Sequence, residues 1–281
     1  MAERDLGELD GLTLVFGGPY SNLAATQALR ARAEQLGIPS RRVICSGDLA
    51  AYSAEPEQTV SLVRDWGIEV VMGNCEESLA GDAADCGCGF DPGSSCALAA
   101  TGWYSYARSQ LSPASRAWMG PLPRAIRFRM AERSLLVVHG APSKINRFVF
   151  ASTPVESIRR ELDLATADAV IAGHSGLPFG QAIGERLWLN AGVIGLPAND
   201  GTTDGWYLLL EPRGRAIHLR WQRLTYPAAA SRRSMLAAGL EPGYAEALVS
   251  GRWPSLDMLP DPERAAGGIR LESPELVWGA S

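Results

Sequence analysis

From residue 12 to about residue 210, short apolar runs alternate with longer amphipathic stretches, the order expected of strands and helices layered in an α/β fold. LTLVF predicts a first strand. Residues 22–36 predict a helix with apolar positions at Leu23, Ala24, Ala28, Leu29, Ala31 and Leu36, stopped by Gly37 and Pro39. VICSGD predicts a second strand, residues 57–66 a second helix, and IEVVMGN a third strand. An insertion follows at about 75–123, glycine-rich early and helical later, with Trp103, Tyr104, Tyr106, Ala107 and Leu111 at core spacing. Strands resume at IRFRM and SLLVVHG. Residues 154–164 predict a helix opened by a Ser152/Thr153 cap signal, and DAVIAGH a further strand. RLWLNAG, GWYLLLEP and AIHLRWQRL read as antiparallel strands, with EPRGR as a hairpin turn. Residues 1–225 are thus expected to form the main domain. Residues 226–281, rich in Pro and Gly with short helices near 231–236 and 244–248, are expected to pack on it as an extension through Trp253, Leu256, Met258 and Leu259.

Four of the apolar runs end in a glycine-flanked side chain able to bind metal: Asp48 in VICSGD, Asn74 in VVMGN, His139 in LLVVHG and His174 in AVIAGH. Strand exits are where an open α/β sheet builds its site, because the crevice at the carboxyl edge is left uncovered. Only three histidines occur in the chain and two of them stand here; the third, His218, lies inside AIHLRW and reads as structural. A carboxylate, an amide oxygen and two imidazoles suit a borderline divalent metal such as manganese, iron or zinc.

Charge narrows the partners. With a net charge of −5, a pI near 5.4 and scattered arginines, the chain offers no concentrated basic face for a phosphate backbone, so nucleic acid is not an expected partner. The N-terminal MAERDLGELDGLTLVF has mixed charges and an apolar stretch too short for a signal peptide or a membrane span, so a cytoplasmic protein with no membrane partner is expected.

In order, the blocks resemble those of the calcineurin-like metallophosphoesterases, above all the small bacterial and archaeal phosphodiesterase branch. They read Gly18-Pro19-Tyr20-Ser21-Asn22, Gly47-Asp48, Gly73-Asn74-Cys75-Glu76, His139-Gly140, Gly173-His174-Ser175-Gly176, and Asn190-Ala191-Gly192-Val193-Ile194-Gly195-Leu196-Pro197. The resemblance spans roughly residues 12–225. It implies a four-layer α/β/β/α sandwich and two metals sharing a bridging aspartate. One metal set matches completely, at Asp48, Asn74, His139 and His174. The other set falls on Gly18, Tyr20, Asp48 and Gly176 and lacks three of its four ligands, so the site is expected to hold one metal. The histidine that follows the asparagine in the family, and is thought to assist the leaving group, is Cys75 here. A neutral thiol is a poor substitute for an imidazolium, which leaves Tyr20 and Glu76 as further candidate acids. The loop at Asn190 and Asn199 resembles the family's structural loop beside the site.

Cys75, Cys86, Cys88 and Cys96 crowd into one segment, in a C-x10-C-x-C-x7-C spacing without paired knuckles. Two readings stand: unrelated buried thiols, or a thiolate-bound second metal or redox-sensitive group beside Asn74. A disulfide framework is not expected in a reducing compartment. Lys144 and Arg147, just beyond His139, are candidates to bind a substrate phosphate, or else belong to a solvated loop. The function these residues support is metal-dependent hydrolysis of a small phosphodiester or nucleotide-like substrate. The alternative is a non-hydrolytic, metal-binding or redox-responsive protein of the same fold. Oligomeric state leaves no trace in the sequence.

Overall fold

The computed structural model describes residues 2–279, and its elements follow the chain in this order. The N-terminal half carries β1 (Glu3–Glu8), β2 (Thr13–Phe16), α1 (Leu23–Gln35), β3 (Val43–Cys45), α2 (Pro56–Trp66), β4 (Glu69–Val70), α3 (Asn74–Ala80), α4 (Ser95–Gln110), α5 (Pro113–Met119), β5 (Ala125–Met130) and β6 (Arg133–Val138). The C-terminal half carries α6 (Val155–Ala165), β7 (Ala169–Ala172), β8 (Phe179–Ile183), β9 (Arg186–Asn190), β10 (Gly205–Arg213), β11 (Ala216–Leu224), α7 (Ala228–Ala237), α8 (Pro242–Ser250), α9 (Asp261–Ala265) and β12 (Glu275–Trp278).

The strands form two six-stranded sheets, ordered β1-β5-β6-β7-β9-β8 and β12-β11-β10-β2-β3-β4. The central strands of both are apolar on both faces, because each sheet is covered twice. Val15, Ile44, Trp206, Leu208 and Leu219 of one sheet pack against Ile126, Phe128, Leu135, Val137 and Ile171 of the other. The intervening residues Leu14, Phe16, Tyr207 and Leu209 point outward to α1, α2, α4, α7 and α8. Leu136, Val138, Val170 and Trp188 point outward to Ile158 and Leu162 of α6. Strands buried on two faces read as continuous apolar runs, and their outward faces hold the helical layers. The result is the four-layer α/β/β/α sandwich.

Several boundaries differ from the sequence reading. β1 precedes the expected first strand and pairs in parallel with β5; ERDLGE is exposed and carries no apolar alternation. The third strand is only Glu69–Val70, and Asn74 opens α3 instead of ending a strand. RLWLN does not join GWYLLLEPR and AIHLRWQRL. It lies in the other sheet, parallel to β7 and antiparallel to β8, while β10 and β11 pair with each other. Their hairpin turns at Gly214, in the left-handed region at φ 61°. The Ser152/Thr153 cap is absent: Thr153 Oγ1 accepts the Phe150 N–H, Ser152 binds Glu263, and α6 begins after Pro154 without a side-chain cap. The C-terminal segment does more than pack on the surface, since β12 extends a sheet by pairing with β11 from Ile217 to Arg220. No helix among the described residues is long and apolar enough to cross a membrane.

Candidate metal centre

β2, β3 and β4 run parallel in one sheet, and β6, β7 and β9 run parallel in the other. Their carboxyl ends meet at one edge, where Gly17 bridges to Val193. Glycine is required at this meeting. A Cβ on Gly173 would collide with Ser46 Oγ, and one on Gly17 would lie 2.7 Å from the same atom. Two ligand positions thus come from each sheet: Asp48 and Asn74 after β3 and β4, His139 and His174 after β6 and β7. All four are buried.

Their heteroatoms converge. His139 Nε2 lies 2.9 Å from Asn74 Oδ1, 2.9 Å from His174 Nδ1 and 3.3 Å from Asp48 Oδ2. Backbone carbonyls occupy the far side of each ring, with His139 Nδ1 2.7 Å from Ser46 O and His174 Nε2 3.2 Å from Cys88 O. Carbonyl oxygens only accept, so those two nitrogens carry the protons. The Asn74 amide is fixed the same way: its Nδ2 donates to Cys86 O at 2.9 Å, which turns Oδ1 inward. Two nitrogens, an amide oxygen and a carboxylate oxygen therefore face one another as lone pairs. Such a donor set fits a cation, with ring tautomers fixed as metal-ligating histidines require. Ligand atoms of Asp48, His139 and His174 all lie within 4.8 Å of one another.

The electrostatics follow from this crowding. Burial works to raise the Asp48 carboxyl, but the His139 and His174 imidazoles and the Cys75 N–H outweigh it and hold the group to about 2. Burial works to lower His139, and the neighbouring Asp48 charge raises it above the ordinary imidazole value. Burial together with the His139 charge pushes His174 down to about 3.

Glu76 is placed differently from its expected role as an acid. Both of its oxygens accept backbone N–H groups, from Asp48 and Gly73 at 2.7 and 2.9 Å and from Leu49 at 2.7 Å. It ties the exits of β3 and β4 together and stabilises Asp48 in the left-handed region at φ 60°. Burial and the Asp48 charge raise its carboxyl to about 7, against the Leu49 and Asp48 N–H groups and the His139 charge. Cys75 donates its backbone N–H to Asp48 Oδ1 at 3.2 Å, and burial followed by the Asp48 and Glu76 charges pushes its thiol up, so it remains neutral. Tyr20, at φ 50°, lines the cleft above Asp48 and His174. Its ring fills the position beside Gly18, where a Cβ would lie 2.5 Å from Tyr20 Cζ.

The four cysteines are not brought together as a thiolate set, one of the two readings open from the sequence. Cys86 and Cys88 are joined by a disulfide, Cys75 and Cys96 are free and buried, and Cys96 Sγ sits 3.3 Å from Ser255 Oγ. A disulfide leaves neither sulfur as a thiolate, and among the described residues no metal-capable group of three includes a cysteine. The substrate-binding candidates also lie elsewhere. Arg147 pairs at 3.2 Å with Glu161, itself buried, and Lys144 is exposed on the loop; neither lines the cleft that reaches Asp48 and His174. The buried Glu161 carboxylate needs a counter-charge, and Arg147 supplies it. His218 stands on β11, opposite Glu211 and Val277.

Sequence reasoning missed the cleft walls. Tyr52, Phe90, Phe148, Tyr244, Trp253 and Met258 line it, with no lysine or arginine among the lining residues. Phe148 packs on His174 with ring centres 4.3 Å apart. Three of these residues come from the C-terminal segment. Trp253 is held there by Asn199, whose Oδ1 accepts its N–H at 2.9 Å, and by Pro197 O, which accepts its indole N–H at 2.7 Å. Asn190 donates to Ser175 Oγ at 2.8 Å and orders the turn after His174. The F-V-F run after the His139 loop is a signal in the sequence for such a wall.

The model of the calcineurin-like phosphoesterase superfamily domain matches residues 21–213, more than half of the chain. No curated protein matches the sequence. Among solved structures, the chain is similar to a metallophosphoesterase from Sphaerobacter thermophilus, at 21% identity and a TM-score of 0.68 over 86% of this chain and 100% of that one. It is also similar to a hypothetical protein from Pyrococcus horikoshii OT3, at 12% identity and a TM-score of 0.72 over 86% of this chain and 99% of that one. At these identities the likeness shows the shared fold.

Proposed function

Because the chain belongs to the calcineurin-like phosphoesterase superfamily, we propose that it is a phosphoesterase that works with one divalent metal and hydrolyses a small phosphodiester or nucleotide-like substrate. The observation that carries this reading is the inward convergence of four lone pairs, from Asp48, Asn74, His139 and His174, beside a largely aromatic cleft that reaches Asp48 and His174. Manganese, iron or zinc held by these four residues would supply Lewis acidity toward a phosphoryl oxygen and activation of a water molecule.

The remaining roles belong to the chain's own groups. Ser46 and Cys88 carbonyls keep the protons of His139 and His174 on the outer nitrogens, and Glu76 holds Asp48 and Asn74 in mutual register. Burial and the Asp48 charge push the Tyr20 phenol well above its ordinary value, so it stays protonated and is a hydrogen-bond donor toward a phosphoryl oxygen in the cleft. Aromatic walls exclude water and accept an apolar or base-like group. With no cation among the lining residues, the cleft favours an ester carrying a single phosphate over a polyphosphate.

The test is hydrolysis of bis(4-nitrophenyl) phosphate and 4-nitrophenyl phosphate by purified protein loaded with manganese, iron or zinc, beside an Asp48→Ala, His174→Ala double variant. Turnover present in the parent and lost with the metal in the double variant supports the proposal. Metal binding without turnover of any phosphoester favours a second reading, a non-hydrolytic metal-binding protein. One observation speaks for that reading: Gly18, Tyr20 and Gly176 stand where the resemblance places ligands of another metal.

A further inference from the structure

We infer that the Cys86–Cys88 disulfide is a positioning device for the metal ligands, holding in place the two carbonyls that orient Asn74 and His174, so that its reduction weakens metal binding. The inference rests on the ligand assignment above and is independent of whether the protein hydrolyses anything.

Two of the four ligands are aimed by the same three-residue loop. Cys86 O accepts from Asn74 Nδ2 at 2.9 Å, and the amide can present Oδ1 inward only while Nδ2 has that partner. Cys88 O faces His174 Nε2 at 3.2 Å and thereby keeps the Nδ1 lone pair free. Asn74 Nδ2 also lies 3.4 Å from Cys88 Sγ, so the sulfur bridge itself touches the ligand. Such outer contacts commonly govern metal affinity by about 10–100-fold.

Apart from the burial of Cys86 and Cys88 in the core, few contacts fix the loop. It lies between α3 and α4 without regular secondary structure, and both Gly87 and Gly89 take positive φ, at 63° and 78°. Its other anchors are a hydrogen bond from Asn146 Nδ2 to Gly87 O and one from Gly87 N–H to Asp85 Oδ1, each 2.8 Å. Glycine-flanked backbone is conformationally free unless restrained, and the bond between Cys86 and Cys88 is the covalent restraint. A cavity of about 450 Å³ lies against Cys86, Gly87, Cys88 and Tyr104, so a small reagent can approach the buried bridge from that side.

The reductant is a small dithiol. One of its thiolates attacks a sulfur of the bridge, the Cys86–Cys88 bond breaks as a mixed disulfide forms, and the displaced cysteine thiolate takes up a proton. The second thiol of the reagent then closes its own disulfide and releases the other cysteine. Two electrons pass from the dithiol to the protein, and its two protons end on Cys86 and Cys88.

The experiment compares the full-length chain in its air-oxidised form with the same chain reduced by dithiothreitol and desalted anaerobically. Thiols are counted in denaturant, circular dichroism checks the fold, and manganese affinity is measured by competition with a chromophoric chelator. The expected result is a rise from three free thiols (Cys45, Cys75 and Cys96) to five, with manganese bound about 10–100-fold more weakly and affinity restored on reoxidation. A Cys86→Ser, Cys88→Ser double variant is expected to bind at the reduced level whether or not the reagent is added. Equal affinity in the two forms overturns the proposal, as do five free thiols in the air-oxidised chain. Tighter binding after reduction also overturns it, because the cysteines would then be ligands themselves. No manganese binding in either form removes the ligand assignment, and the proposal with it.

Discussion

His139 Nε2 and His174 Nδ1 lie 2.9 Å apart, and neither ring has a proton to offer the other once Ser46 O and Cys88 O have claimed the outer nitrogens. Asp48 Oδ2 and Asn74 Oδ1 face the same point. A buried meeting of four acceptors requires either a cation or an added proton, and the properties of the site turn on that competition.

Metal affinity should fall with acidification, starting above pH 6.5. Although burial opposes it, the Asp48 charge raises His139 above the ordinary imidazole value of 6.5, so a proton competes for Nε2 from a higher pH than usual. Below the His139 value, apparent affinity for manganese should drop about tenfold per pH unit, as for displacement of one proton. Chelator competition between pH 5 and 8 checks this; a flat profile would contradict the assignment of His139 as a ligand.

The metal-free protein should lose stability as pH falls below about 4.5. His174 is depressed from 6.5 to about 3 by burial and the His139 charge. The unfolded chain therefore binds the His174 proton first, and the contribution present above 6.5 is lost progressively toward pH 3, at up to about 1.4 kcal/mol per pH unit. Asp48, lowered to about 2, adds a second loss of the same sign between its ordinary 3.8 and 2. Because His139 is raised, its contribution is fully present below 6.5; Glu76, raised from 4.5 to about 7, gains stability as pH falls from 7 to 4.5 and offsets the His174 loss there, so the net loss is expected below 4.5. Urea midpoints of chelated protein should show the slope below pH 4.5, and a His174→Asn variant should flatten it between pH 4.5 and 3.

Glu76 should prove a structural clamp. Glu76→Ala leaves three buried backbone N–H groups without acceptors and is expected to cost about 3 kcal/mol or more, since each orphaned donor costs about 1–3 kcal/mol. Glu76→Gln turns an NH2 toward one side of the same cluster and should also destabilise. A Glu76→Gln protein with parental stability but no turnover would instead identify Glu76 as a catalytic acid.

Gly18 and Tyr20 should be coupled. A Cβ at Gly18 meets the Tyr20 ring at 2.5 Å, on a backbone at φ 43°, so Gly18→Ala should cost about 1–3 kcal/mol. In a Tyr20→Ala background the steric part of that cost disappears and the strained φ remains. A double-mutant cycle by urea denaturation measures the difference, and strict additivity would show that the ring does not fill this space.

Most strands, and the placing of Asp48, Asn74, His139 and His174 just beyond strand ends, were legible because both are local. An apolar run bounded by glycine marks a buried strand, and the residue just beyond it must lie at the carboxyl edge, whatever the rest of the chain does. The edge strands β1 and β12 were not legible. ERDLGE and ELVW are largely exposed, so no burial pattern distinguishes them. The partner of β9 was hidden for a related reason: an apolar strand records that it is covered on both faces, not which sheet covers it.

The sequence alone determined which side chains reach the edge: Asp48, Asn74, His139 and His174 stand there, while Gly18 and Gly176 offer no donor. Tertiary structure decided what those side chains can do. Tautomers are fixed by the Ser46 and Cys88 carbonyls, from positions far along the chain. Glu76 became a clamp because three N–H groups from two strand exits converge on it, and Arg147 turned away because a buried Glu161 needed its charge. Backbone carbonyls and N–H groups are the same at every residue, so which ones meet a given side chain is decided only when the chain folds.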